Sequence, residues 1–181
     1  EKIVEFFSKS YLVEIILDSN SSLSNYFEKN LINNRASKFY PKNLDALLSL
    51  IESVDFGIFM DSGPLHIAKI LNIRGVLIEN SVSSKILLND FNSIKSFKNT
   101  YQSQFCKAPC GLTNVFNHDN HYGCFDSLQI KKFDFSKIDN LNSLQRGSPI
   151  KYNEKFIDNP VGCLKNINSL MLINFLESIL K

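Results

Sequence analysis

The spacing of apolar positions changes several times along the first hundred residues, and each change marks an element. Ile3, Val4, Phe6 and Phe7 share one side of a helix. Tyr11 to Leu17 (YLVEIIL) is instead a β-branched run, stopped by the turn formers Asp18-Ser19-Asn20-Ser21-Ser22. Tyr26, Phe27 and Leu31 predict a second helix, and Ala36 to Tyr40 a short strand that Pro41 ends. Leu44, Leu47, Leu48 and Ile51 then recur at i, i+3, i+4 and i+7 behind Asn43, whose side-chain oxygen suits it to cap the first turn. This is the clearest helix in the chain.

Phe56 to Met60 (FGIFM) is too short for a helix and apolar throughout, which predicts a strand covered on both faces. Gly75 to Glu79 (GVLIE) repeats the pattern beyond a helix that starts near Pro64. Strand, tight loop, helix and strand make a βαβ unit with a right-handed crossover. Several such units in series predict an α/β fold, a Rossmann-like doubly wound parallel sheet with ligands beyond the carboxyl ends of its strands. At the far end Leu172, Phe175, Leu176 and Ile179 form a helical stripe that packs back onto the sheet or, alternatively, meets a partner. The expected organisation is a Rossmann-like nucleotide-sugar-binding domain over residues 1–100, an irregular Cys/His-containing insertion over 101–162, and a C-terminal helix over 163–181.

A chain of 181 residues with 44% apolar composition supports one sizeable core. Its formal charge of +2 comes from interspersed lysines and acids. With no basic stripe and no aromatics interleaved with one, nucleic acid is not an expected partner. No stretch reaches the roughly 18 consecutive apolar residues of a membrane span, and EKIVEFFSKS lacks the apolar centre of a signal peptide. A cytoplasmic location is expected.

The chemistry gathers at MDSGPLHIAKIL, residues 60 to 71. Asp61-Ser62-Gly63 falls at a strand's carboxyl end, and Pro64 suits the first helical position, where a missing N–H costs nothing. Gly63 lets the backbone turn and approach a ligand, while the N–H groups of residues 62 to 65 and the positive helix end favour an anion such as phosphate. His66, one turn in, faces that anion or the neighbouring loop. In the competing reading Asp61 or Ser62 caps the helix internally and His66 is a packed histidine. The residue pattern leaves both open.

The stretch LDALLSLIESVDFGIFMDSGPLHIAKILNIRGVLIENSVSSK, about residues 43 to 85, resembles the signature region of glycosyltransferase family 9, the lipopolysaccharide heptosyltransferases. The resemblance implies a GT-B fold, two Rossmann-like domains facing a cleft, with this motif in the carboxyl-terminal, donor-binding one. It places the backbone of Ser62, Gly63 and Pro64 or Leu65 around the diphosphate of a nucleotide-sugar donor. Proline has no N–H, so Leu65 is the better donor of that pair. It makes His66 the catalytic residue that stabilises charge on the departing diphosphate, has Asp61 shape the loop, and requires no metal. The general base would be an acid in the amino-terminal acceptor domain, which has no room in this chain. The chain opens with a helix where such a donor domain opens with a strand, so a fragment lacking its first strand is expected. The acceptor would be a cell-envelope glycan or glycolipid such as lipopolysaccharide core, met at the inner face of the inner membrane. A non-catalytic nucleotide- or sugar-phosphate-binding module is the alternative.

Asp18, at the end of the first strand, is a candidate ribose contact or a turn-capping residue. Asn80-Ser81-Val82-Ser83-Ser84-Lys85 departs from the Phe-Gly-Pro-Thr type of loop common in the family. Ser83, Ser84 and Lys85 either approach the donor or form a solvent-facing cap. Cys106, Cys110, His118, His121 and Cys124, at C-x3-C-x7-H-x2-H-x2-C spacing, are candidate ligands of a structural zinc. A disulfide, which a cytosolic location disfavours, and packed thiols are the other readings. Family members also carry a Cys-x2/3-Cys with later cysteines before the last helix, and NPVGCLKNI resembles a family ending, making residues 111–162 look like an insertion. A Cys–His catalytic pair is disfavoured because nothing orients the histidines. Gln145 to Pro149 (QRGSP) is a candidate functional loop.

Overall fold

A computed structural model describes residues 1–19, 24, 27–28, 35–104, 107–110 and 162–181. Helix α1 (Lys2–Phe7) precedes strand β1 (Val13–Ile16). Ser24, Phe27 and Glu28 are helical, the last two within the predicted second helix. Strand β2 (Ala36–Phe39) lies parallel to β1, with Val13 beside Ala36 and Ile16 beside Phe39. Helix α2 (Leu44–Ser53) begins at the predicted cap, where the Ala46 N–H donates to Asn43 Oδ1 at 2.9 Å. There follow β3 (Gly57–Phe59), α3 (Gly63–Ile70), β4 (Gly75–Ile78), the single turn α4 (Ser84–Leu87) and β5 (Ile94–Phe97). β3, β4 and β5 form a parallel sheet in that order. A small antiparallel pair, β6 (Tyr101–Gln102) and β7 (Lys107–Ala108), comes next. Helices α5 (Gly162–Lys165) and α6 (Ser169–Leu180) end the chain, with Asn168 Oδ1 accepting from the N–H groups of Leu170 and Met171. The architecture is mixed α/β with parallel strands and a C-terminal helix. Among the described residues no helix is long and apolar enough to cross a membrane.

All four residues of β4 are buried, as its uninterrupted apolar run requires of a strand covered twice. On one face Leu77 joins Phe59, Ile94 and residues of α2, α3 and α4, among them Ile51, Leu65, Ala68 and Leu87. On the other, Val76 and Ile78 meet Phe7 of α1 and Leu172, Ile173 and Leu176 of α6. The C-terminal stripe thus packs on the sheet.

Two glycines make room for one ring. Gly57 and Phe59, two residues apart, share a face of β3, and Gly57 pairs with Gly75 of β4. Phe59 lies back over both. A Cβ on Gly75 would overlap the Gly57 carbonyl and come within 2.7 Å of the Phe59 ring. Because the carbonyl is backbone and has nowhere to go, Gly75→Ala should cost about 1 to 3 kcal/mol, as overpacking does. Chemical denaturation measures it, and an unchanged midpoint would show that the sheet start yields freely.

Candidate functional site

Phe59 at the end of β3 and Leu65 in the first turn of α3 are buried in the same cluster. They hold both ends of the short connection between them and leave Asp61 and Gly63 exposed and Ser62 half-buried. With Gly63 at the first helical position and Pro64 at the second, one place beyond the expected one but still where a missing N–H costs no intrahelical bond, Ser62 is the N-cap of α3, extended at φ −165° and ψ 166°. Its side chain does not cap. Ser62 Oγ donates instead to the Met60 carbonyl at 3.1 Å. Asp61 makes no hydrogen bond with the described residues, so neither candidate cap closes the helix start. The Leu65 N–H donates to the Ser62 carbonyl at 3.2 Å. That removes Leu65 as a donor toward a ligand, whereas the N–H groups of Ser62 and Gly63 have no acceptor among the described residues.

The space over Gly63 is open: a Cβ built there meets no atom within 4 Å. Gly63 is helical and not in the left-handed region. What it contributes here is the missing side chain above two unoccupied donors. His66 is exposed, while its helix neighbours Leu65 and Ala68 take the buried side. The packed-histidine reading therefore does not apply. Positive helix end, two donors and an accessible imidazole lie within one turn, an arrangement able to receive an anion. The Asp61 carboxylate complements the same helix end, so an incoming anion has to be held by directed hydrogen bonds as well as by charge.

Two other strand ends carry contacts made by the chain itself. After β4, Glu79 is only 5% exposed and its Oε1 accepts from the Ser84 N–H at 2.6 Å, so a carboxylate of the chain itself sits at the start of α4. Ser83 Oγ accepts from the Lys85 N–H at 3.2 Å, and Lys85 is exposed. Ser83 and Ser84 are thus engaged in an internal cap. After β1, the Asp18 backbone N–H donates to Oγ of the buried Ser24 at 2.8 Å. Lys69 ties α3 to α4, its Nζ donating to the Leu87 carbonyl at 2.5 Å and lying 4.7 Å from the Phe91 ring centre.

Glu79 was not singled out by its sequence context, although an acid directly after an apolar strand and five residues before a helix start was the available signal. Nor was the anchor of the C-terminal segment. Asn99, buried, donates through Nδ2 to the Cys163 carbonyl at 2.6 Å, the Cys163 thiol meets Asn80 Oδ1 at 3.2 Å, and Asn166 Nδ2 reaches the Thr100 carbonyl at 3.2 Å. These bonds fasten α5 to the loops after β4 and β5.

Of the Cys/His cluster, Cys110 is half-buried. Cys106, His118, His121 and Cys124 lie outside the described residues, as do residues 145–149. Among the described residues no three His, Cys, Asp or Glu side chains are grouped to hold a metal. Comparison with protein-family models, with curated proteins and with solved structures found no match to this chain.

Proposed function

We propose that the chain is the donor-binding half of a glycosyltransferase and holds the diphosphate of a nucleotide sugar at the start of α3. The carrying observation is the open helix start after β3, with the Ser62 and Gly63 N–H groups lacking acceptors among the described residues and His66 exposed one turn on. In this reading the parallel strands belong to a Rossmann-like, doubly wound sheet, the donor domain of a GT-B enzyme. Ser62 and Gly63 donate to diphosphate oxygens, and His66 donates to the leaving phosphate. As the bond from the anomeric carbon to the phosphate oxygen breaks, its electron pair moves onto that oxygen, where the helix end and His66 meet it. The acceptor hydroxyl bonds to the anomeric carbon and yields its proton to a carboxylate of an amino-terminal acceptor domain. No metal is needed for this step. The acceptor is a cell-envelope glycan or glycolipid, of the lipopolysaccharide-core kind, reached from the cytoplasm at the inner face of the inner membrane.

Calorimetric titration of residues 1–181 with ADP, UDP, GDP and their sugars tests the reading. At least one ligand should bind, and none should be turned over, because the base belongs to the other half. Gly63→Val should weaken that ligand about tenfold, the equivalent of one lost hydrogen bond, with the melting temperature unchanged because the added side chain enters open space. Silence of every ligand at millimolar concentration would sink the proposal. Sugar transfer by the 181 residues alone would instead place the base within them.

A further inference from the structure

Cys110 and Cys163 stand far apart in the chain, yet the fold brings both to the place where the β6–β7 pair adjoins α5. The pairing of Tyr101 with Ala108 and of Gln102 with Lys107 fixes β7, and Cys110 follows Ala108 by two residues. From the other side Cys163, 7% exposed, packs against Tyr101 and Ala108. Its position is set by Asn99 Nδ2, which donates to the Cys163 carbonyl at 2.6 Å, and by Asn166 Nδ2, which donates to the Thr100 carbonyl at 3.2 Å. Packed side chains touch within about 4.5 Å, and two residue steps span at most about 7 Å. A short movement of the two residues beyond Ala108 therefore brings Cys110 into the range of about 4.4 to 6.8 Å between Cα atoms that a disulfide takes.

The two thiols differ in access and in what holds them. Cys110 is half-buried, whereas Cys163 is buried and its Sγ lies 3.2 Å from Asn80 Oδ1. Access makes Cys110 the thiol that meets a reagent from solution, and Cys163 the one that answers it from within.

We propose that Cys110 and Cys163 form a reversible redox pair, oxidised by a low-molecular-weight disulfide such as glutathione disulfide. The Cys110 thiolate attacks one sulfur of that disulfide, forming a mixed disulfide and releasing one glutathione as its thiolate. Cys163 Sγ then turns from Asn80 and attacks the Cys110 sulfur, which closes the protein disulfide and releases the second glutathione. The two thiol protons pass to the two released thiolates, so two protein thiols are oxidised as one small disulfide is reduced. In a reducing compartment the pair stands as thiols and closes when the share of small-molecule disulfide rises. Closure fastens β7 to α5 covalently and takes the thiol away from Asn80, in the loop after β4. It is independent of what α3 binds.

The test incubates residues 1–181, reduced and then freed of reductant in metal-free buffer, with glutathione disulfide. Intact mass should fall by two hydrogens, and digestion with trypsin and chymotrypsin without reduction should yield the Cys110 and Cys163 peptides joined. The Asn80 side-chain amide should shift in the NMR spectrum and the melting temperature should rise by several degrees, both reversed by dithiothreitol. Under the same treatment Cys110→Ser should keep the Asn80 signal and the melting temperature of the reduced chain. Three results would overturn the proposal: no reaction at Cys110, a glutathione adduct on Cys110 that never resolves, or Cys163 joined instead to Cys106 or Cys124.

Discussion

His66→Ala should lower nucleotide-sugar affinity about ten- to a hundredfold, the loss that goes with one charge-assisted hydrogen bond. The melting temperature should hardly move, because His66 is exposed and the substitution leaves a helix-favouring residue in its place. That pairing separates a ligand contact from a packing residue. His66→Gln, which keeps an N–H donor but no charge, should recover part of the affinity. In the enzyme with both halves, turnover should fall along with affinity, since the histidine acts on charge that grows as the diphosphate leaves. Calorimetry and a thermal scan on the two variants decide it. Unchanged affinity in His66→Ala would remove the histidine from the site, whatever else α3 binds.

Leu65→Ala is expected to have the opposite signature. Leu65 is fully buried among Ile51, Phe59, Ala68 and Leu77, where α2 and α3 meet the sheet. Truncating such a leucine costs about 2 to 5 kcal/mol in lost transfer energy and residual cavity, or a fall of roughly 4 to 20 °C in the unfolding midpoint for a domain of this size. Affinity should fall too, since Leu65 holds one end of the loop that presents Ser62 and Gly63. Ile70→Ala, on the same helix but 80% exposed, should stay within about 0.5 kcal/mol of the parent. Equal midpoints for the two variants would mean that the core is not where these contacts put it.

Much of the framework was legible in the chain because it follows from local rules. The spacing of Leu44, Leu47, Leu48 and Ile51 calls for α2, and Asn43 starts it through a bond to Ala46, three residues away. The unbroken apolar run of β4 calls for cover on both faces, and the stripe of α6 supplies one of them. Strand ends were less legible: the runs Phe56–Met60 and Tyr11–Leu17 shrink to Gly57–Phe59 and Val13–Ile16, because pairing with a neighbour, and not apolarity, sets where a strand stops.

The sequence by itself determined that an acid, a hydroxyl, a glycine, a proline and a histidine stand where β3 gives way to α3, since hydrophobic period, turn residues and the fixed φ of proline act within a few residues. Which strand-end loop stays open was decided only by tertiary structure. Glu79 folds back on the Ser84 N–H, the Ser24 hydroxyl takes the Asp18 N–H, and Leu65 spends its N–H on Ser62, while Ser62 and Gly63 meet no acceptor among the described residues. The Phe59 ring over Gly57 and Gly75 likewise depends on where separate elements settle. The physical reason is the same in each case: a donor's partner is whichever acceptor packing brings within about 3 Å, and packing between elements leaves no period in the chain to read.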